Sequence, residues 1–139
     1  MAHLVSGAIE FRVIGPDSLV LTKHAVIHAL GTDWDLNPGD ITDLASLPWF
    51  GYLIYEPYEA AGASAWHDKR YKKGDISRKR ADKGWREIAV SGDNPKTRMP
   101  EWKAKIGYRF LRLFGGASWL RHRYNEHKIA KKDKGAKNR

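Results

Sequence analysis

Ala65-Trp66-His67-Asp68-Lys69-Arg70-Tyr71 places an imidazole beside a carboxylate, with a phenol one helical turn further on. The alanines in and before this stretch favour a helix, in which His67 and Tyr71 lie at i and i+4 on one face. Asp68 lies about 100° around the helix from His67 and at i+3 to Tyr71. The three side chains can therefore converge on the edge of one pocket, and we expect the rest of the chain to be organised around this helix.

The chain of 139 residues is long enough for one domain with a hydrophobic core, since 42% of its residues are hydrophobic and 12% are aromatic. The absence of Cys from the sequence excludes disulfides, thiol catalysis and thiolate metal sites. No secretory signal and no apolar run of about 18 residues occurs, so no transmembrane segment is expected. We therefore expect the protein in a cytoplasm, or in a particle assembled there.

The positive charge is concentrated at the C-terminal end. The formal net charge is +9, and eight of the basic residues but only two acidic ones lie between Arg121 and Arg139. A basic end of this kind typically contacts an acidic partner without sequence specificity. DNA, an anionic lipid and an acidic protein all remain possible partners of residues 121–139.

The N-terminal part has the pattern of a small antiparallel sheet. Residues 4–14 and 19–30 are rich in strand formers and are separated by a turn at 15–18, which predicts a β-hairpin. Residues 33–36 are expected to add a third short strand. Asn37-Pro38-Gly39-Asp40 fits a type II turn, with Gly at the position that needs a positive φ.

The segment after this turn has two interpretations. Asp43 and Ser46 are small oxygen-bearing residues that can close a loop by hydrogen bonds to its own backbone. The same loop could present oxygens to a cation, or backbone N–H groups to an anion. The aromatic residues at 49–58 are predicted to form a core segment or the rim of an apolar groove.

Two consecutive helices are predicted at 59–72 and 78–90. Gly74 suits the left-handed position after the first helix, and Ser77 suits the N-cap of the second. The second helix has an apolar stripe of Ala81, Trp85, Ile88 and Ala89. A short link of this kind allows the two helices to run antiparallel.

A third helix is predicted at 100–114, with an apolar stripe of Trp102, Ile106, Phe110 and Leu113. Gly115-Gly116 is expected to break it. A short basic helix at about 118–130 and a disordered tail should follow. The prediction is therefore an α+β domain at 1–116, with a hairpin or small sheet on a three-helix core, and a basic helical extension at 117–139.

Asp82 can play one of two parts. It lies at i+4 from Arg78 and i−4 from Arg86, so it could form an exposed ion pair that contributes little stability. If the helices at 59–72 and 78–90 are antiparallel, Asp82 could instead face Tyr71 or His67.

The chemistry that these residue types permit is general-base catalysis or cation binding. A neutral imidazole beside a carboxylate can take a proton from water. His67 is the one credible imidazole ligand, and Asp43, Asp68 and Asp82 offer oxygens, so the set favours Ca²⁺ or Mg²⁺ and leaves His67 to act as the base. The alternative is a structural role, in which the same side chains form a buried hydrogen-bonded network.

Several motifs recur in an order that resembles a domain-of-unknown-function family, number thirteen fifty-three, found mainly in bacteriophages and prophages. The resemblance covers roughly residues 4–116. Its motifs are Pro38–Gly39, Thr42–Pro48, His67–Tyr71, Ser77–Asp82, and the segment from Trp102 to Gly115. It implies a phage protein, located in the virion or in the host cytoplasm and in contact with other virion proteins.

The pattern His-Asp-x-x-Tyr followed by Ser-Arg-x-x-Ala-Asp-x-x-Trp is also similar to the paired helices of phospholipase A2, especially the bacterial form. That resemblance implies that His67 is the base on water and that Asp68 binds Ca²⁺. Tyr71 and Asp82 would support the imidazole through hydrogen bonds. Backbone carbonyls between Gly39 and Ser46 would complete the calcium site.

Together the two resemblances imply a phage-encoded, Ca²⁺-dependent ester hydrolase. A structural component of a phage head or tail is the competing interpretation, and a DNA-binding accessory protein is the third.

Overall fold

The computed structural model describes residues 1–16, 18–43, 59–91 and 98–138, and within these ranges six strands precede three helices. The strands are β1 (His3–Gly7), β2 (Phe11–Gly15), β3 (Ser18–Leu21), β4 (Ala25–Ala29), β5 (Thr32–Leu36) and β6 (Ile41–Thr42). The helices are α1 (Ala61–Lys73), α2 (Arg78–Ser91) and α3 (Glu101–Lys137). The predicted α+β class is confirmed.

The strands form two antiparallel sheets, in the orders β1-β4-β5 and β2-β3-β6. The predicted turn at 15–18 is confirmed, because Gly15 pairs with Ser18 where β2 and β3 meet. Each of the two long predicted strands is in fact two short ones, since the chain passes from one sheet to the other within 4–14 and again within 19–30. The predicted turn at Pro38-Gly39 also forms: the Asp40 amide donates to the Asn37 carbonyl at 3.1 Å, and Gly39 has a φ of 93°.

The core is built around Trp66 of α1, which is fully buried. One side of its ring meets Trp34 of β5 edge-on, with centroids 5.6 Å apart. The ring also lies against Gly84 of α2, where a Cβ atom would come within 2.2 Å of it. Gly84 therefore allows α1 and α2 to approach closely over a large aromatic residue.

The third helix differs from its prediction in two ways. It is continuous from Glu101 to Lys137, so the expected break at Gly115-Gly116 and the expected disordered tail are both wrong. Its predicted apolar stripe is not buried over its whole length, because Trp102 is 58% exposed and Leu113 is 74% exposed. The buried positions of α3 are the small residues Ala104 and Gly107. Periodicity identifies an apolar face, but it does not tell whether another element covers that face.

The predicted loop residue Ser46 and the aromatic segment at 49–58 lie outside the described residues. Within the described part of the chain, no helix has the length and apolar character needed to cross a membrane.

Candidate functional site

The candidate site depends on how α1 and α2 are joined. Gly74 ends α1 in the left-handed conformation, with a φ of 60°. The Ser77 hydroxyl then accepts a hydrogen bond from the Arg80 amide at 3.3 Å and caps α2 as predicted. Contacts between the helices pair residues near the end of one with residues near the start of the other, as in an antiparallel hairpin. This arrangement turns Asp82 towards His67 and Tyr71.

Asp82 of α2 is fully buried and accepts hydrogen bonds from side chains of α1 and α3. Its Oδ1 accepts from His67 Nε2 at 2.8 Å and from the Tyr71 hydroxyl at 2.6 Å. Its Oδ2 accepts from Arg112 Nη1 at 2.7 Å. The interpretation of Asp82 as an exposed ion pair is therefore wrong, and Arg86 pairs with Glu101 instead.

Arg78 fixes α3 against this cluster. Its Nη2 donates to the backbone carbonyls of Leu111 and Arg112, at 2.8 and 2.6 Å, and its Nε lies 3.4 Å from the Tyr71 hydroxyl. A carbonyl oxygen has two lone pairs and can accept such a bond inside a helix. Arg78 thus positions Arg112, and it also forms a longer ion pair with Asp82, whose Oδ2 is 3.9 Å from its Nε.

The glycine pair of α3 packs against the same cluster. A Cβ at position 115 would lie 2.7 Å from the Tyr71 hydroxyl oxygen. A Cβ at position 116 would meet Arg78 at 3.4 Å. Gly115 therefore brings α3 close enough for Arg112 to reach Asp82, which is why a sequence typical of a helix break lies inside a helix.

We expect Gly115→Ala to destabilise the fold, because overpacking against the buried Tyr71 hydroxyl costs about 1–3 kcal/mol and outweighs a gain of up to about 1 kcal/mol in helix propensity. Gly116→Ala should be close to neutral, since 3.4 Å from Arg78 is an ordinary van der Waals contact that needs no rearrangement. Gly135→Ala has open space around it and should stabilise slightly. Urea denaturation measures all three, and equal stability of the first two variants would contradict the close-approach role of Gly115.

His67 is the titratable group at the centre of the cluster, and 5% of its surface is exposed. Its ring packs on that of Tyr71, with centroids 4.1 Å apart, and its Nδ1 lies 3.9 Å from Asp68 Oδ1. Burial disfavours the charged imidazole, but Asp68 and Asp82 outweigh burial and raise the pKa of His67 above 6.5.

The partners of His67 titrate outside the neutral range. Burial alone would raise the pKa of Asp82, but the groups that donate to it outweigh burial and hold that pKa below 3.8. Burial and the bond to Asp82 raise the pKa of Tyr71, which therefore remains a phenol. At neutral pH Asp82 is a carboxylate that can only accept.

Asp68 connects α1 to the second sheet. Its Oδ2 accepts from the Thr42 hydroxyl at 2.6 Å and from the Asp43 amide at 3.3 Å. Asp43 in turn accepts from the Ser18 hydroxyl at 3.2 Å. Gly39 lies in the preceding turn, where its amide donates to the Leu21 carbonyl at 2.8 Å. The end of β6 thus brings the carboxylates of Asp43 and Asp68 to one place, held by hydrogen bonds.

The residues present supply a partial fit to a calcium ion. Ca²⁺ usually takes about six to eight oxygen ligands. Asp43 and Asp68 offer two carboxylates, each with one oxygen that already accepts a hydrogen bond. Within the part of the chain that the structure describes, no group of three or more His, Cys, Asp or Glu side chains is arranged to hold a metal ion.

A cavity of about 230 Å³ opens beside His67, between α1 and α3. His67, Asp68 and Asp43 line one part of it, while Lys72 and Arg121 bring positive charge. The cavity is also lined by His122, Trp85, Phe110 and Phe114. The contribution of α3 to this cavity could not be predicted from the sequence, because nothing in the local pattern relates residues 110–122 to the motif at 67–71.

His122 is a second imidazole in this cavity. Burial, with the nearby cations Lys72 and Arg123, lowers the pKa of His122 below 6.5. The cavity therefore holds two imidazoles whose pKa values are shifted in opposite directions.

Comparison with known proteins identifies one family. A family model described as "Protein of unknown function (DUF1353)" matches residues 19–109. The match includes His67, Asp68, Tyr71 and Asp82, and it ends before Arg112. No curated protein and no solved structure matches the chain.

Proposed function

The chain belongs to the DUF1353 family of proteins of unknown function, and we propose that it is an ester hydrolase in which His67 activates water. The observation that carries this proposal is the orientation of one imidazole. Asp82, buried and negatively charged, binds Nε2, while Nδ1 lies near Asp68 at the cavity. A buried carboxylate that fixes one ring nitrogen leaves the other nitrogen available for proton transfer.

The tautomer of His67 follows from the charge of Asp82. A carboxylate can only accept, so in the neutral imidazole the proton is on Nε2 and the lone pair is on Nδ1. The separation of 3.9 Å between Nδ1 and Asp68 Oδ1 is too long for a direct hydrogen bond. One bridging water could span it, and that water would be the nucleophile.

The reaction then needs no other base. Nδ1 takes a proton from the water as its oxygen bonds to the ester carbonyl carbon. The tetrahedral intermediate collapses, the bond from carbon to the leaving oxygen breaks, and the alcohol leaves with the proton held on Nδ1. The imidazolium formed in between is stabilised by Asp82, while Lys72 and Arg121 offer positive charge to the oxyanion.

The cavity lining favours a particular kind of ester. Lys72 and Arg121 suit an anionic group, and Phe110, Phe114 and Trp85 suit an apolar part of the same molecule. We therefore propose a substrate that carries a negative charge and an apolar acyl or alkyl group.

Calcium remains a proposal for Asp68, Asp43 and the Gly39 carbonyl, on the phospholipase A2 resemblance. A bound Ca²⁺ would polarise the ester carbonyl. No step assigned to His67 above depends on it. Asp68→Asn tests the ion directly, because the amide oxygen can still accept from Thr42 while the negative charge is lost. Calorimetric titration with Ca²⁺ should show a signal for wild type and none for this variant.

A structural role is the second candidate, and the hydrogen bonding of Asp82 favours it. One buried carboxylate satisfied by donors from α1 and α3 would hold the three helices together whether or not a substrate binds. In that case the protein would be a component of a phage head or tail. The phage origin itself, with a location in the virion or in the host cytoplasm, is supported by the ordered sequence motifs, and mass spectrometry of purified particles would test it.

We expect the purified protein to hydrolyse esters that combine an acidic group with an apolar chain faster than matched neutral esters. Release of the alcohol is measured with added Ca²⁺ and with chelator, over a panel of acyl lengths. Hydrolysis at the rate of buffer alone across the panel would refute the enzymatic proposal and favour the structural one.

The pH dependence follows from the raised pKa of His67. The base must be neutral, so kcat/KM should rise with pH through that pKa, which lies above 6.5, and then reach a plateau. A rate that falls over the same interval would mean that His67 does not act as the base.

A further inference from the structure

The exposed apolar face of α3 has no function in the site described above. Its members are spaced by three, four or seven residues or their sums, which places them on one side of a helix. They are Trp102, Ile106, Leu113, Leu120 and Tyr124, here named the outer stripe. Four of them are well exposed: Trp102 at 58%, Leu113 at 74%, Leu120 at 67% and Tyr124 at 67%.

The residues of the outer stripe line up along one face of α3, whereas isolated exposed apolar residues are spread over a surface. From Trp102 to Tyr124 a helix rises about 33 Å, at about 1.5 Å per residue. Exposed apolar residues that follow one face of a helix over this length usually mark an interaction site. Phe114, which lines the cavity and is 53% exposed, lies beside the stripe.

The charges of α3 are sorted around this stripe. Exposed Arg109, Arg121, Lys128 and Lys131 lie within it or beside it by helical spacing. The three acidic residues of α3 lie on other faces. Two of them are paired: Glu101 with Arg86, and Glu126 with Arg123 at 3.2 Å. The apolar residues of the stripe are thus interleaved with cations and flanked by them, and no acidic residue of α3 lies on this face.

From this pattern we propose that the outer stripe docks the protein on an anionic lipid surface, with α3 lying in the plane of the headgroups. Apolar and aromatic side chains flanked by Lys and Arg are typical of helices that lie at such an interface. A second copy of the chain would bring cations against cations. DNA would engage the cations but would leave Leu113 and Leu120 in water.

The orientation has a consequence for the cavity. Phe114 and Arg121 lie beside the stripe and also line the cavity, so docking brings the cavity wall to the lipid surface. Docking itself does not depend on the chemistry of His67, and the two proposals can fail separately.

The test is co-sedimentation of the full chain with vesicles of phosphatidylcholine mixed with phosphatidylglycerol, and with vesicles of phosphatidylcholine alone. We expect binding to the mixed vesicles only, weakened at high salt. The double variant Leu113→Gln, Leu120→Gln should bind at least about tenfold more weakly, since each leucine loses its burial in lipid. Ile129→Gln is the matched control, because Ile129 is 62% exposed but on a different face, and it should bind like wild type.

A second readout locates the contact. Brominated lipid should quench part of the tryptophan emission, and that part should be missing in Trp102→Phe. Absence of binding to the mixed vesicles, or equal binding by the double variant and wild type, would overturn the proposal. So would duplex DNA binding, or a dimer in sedimentation velocity, that is lost in the double variant while vesicle binding is kept.

Discussion

His67→Gln is expected to lower kcat for the preferred ester by about a hundredfold to ten-thousandfold, the range that a positioned general base contributes. The reason lies in the two nitrogens of the imidazole. The glutamine amide can still donate to Asp82 from roughly the place of Nε2, but it has no basic nitrogen at the place of Nδ1. The change thus removes proton transfer and keeps the hydrogen bond to Asp82.

The stability of this variant decides between the two candidate functions. Urea denaturation should give a free energy of unfolding within about 1 kcal/mol of wild type. The only change is a rearranged hydrogen bond from position 67 to Asp82, and one hydrogen bond contributes about 1 kcal/mol. Tyr71→Phe is the complementary control: it removes a hydrogen-bond donor to Asp82 but leaves Nδ1 of His67 in place, so it should retain most of the activity. Unchanged turnover in His67→Gln would rule out His67 as the base.

Asp82→Ala is expected to cost about 3 kcal/mol in the free energy of unfolding, because removal of one partner of a buried charge cluster leaves the others unsatisfied. His67 and Tyr71 would lose their acceptor in a buried place. Arg112 is 33% exposed and can turn to water, so the cost should lie at the lower end of the range for such clusters.

Asp133→Asn provides the comparison, since Asp133 is an exposed carboxylate on α3 and its loss should change stability by less than about 0.5 kcal/mol. The pH dependence gives a further check. The pKa of Asp82 is lowered on folding, so its contribution is complete above about pH 3.8 and is lost as pH falls through the lowered value. A stability difference between wild type and Asp82→Ala that does not shrink in acid would contradict the proposed charge of Asp82.

The pH dependence of His67 has the opposite sign. Its pKa is raised on folding, so the stability it contributes is complete below about pH 6.5 and is lost as pH rises through the raised value. The neutral form that catalysis requires is therefore the less stabilising form, so stability should fall over the pH interval in which kcat/KM rises.

Much of the helical hairpin could be predicted from local rules. The i, i+4 spacing puts His67 and Tyr71 on one face, and Gly74 and Ser77 end one helix and begin the next. For two helices joined in this way, the sequence allows two positions for Asp82: in contact with His67, or in an exposed ion pair with a neighbouring arginine. The choice depends on whether Asp82 is buried, and burial is a property of the assembled fold.

The contribution of α3 could not be predicted in the same way. Arg112 reaches Asp82 from 30 positions away in the sequence, and it does so because Gly115 admits α3 against Tyr71. A glycine pair weakens a helix by local propensity, and only the packing partner shows why it is used inside one. For the same reason no sequence motif predicts that His122 lies in the cavity beside His67.

The sequence by itself determined the α+β class, the turns, the α1–α2 hairpin and the candidate site residues on these two helices. These features depend on backbone preference and on the spacing of residues that are close in sequence. The tertiary structure decided that Asp82 is a buried acceptor, that α3 continues through Gly115-Gly116, and that the stripe beginning at Trp102 faces outward. These features depend on which surfaces meet, and periodicity along one helix carries no information about what lies opposite it.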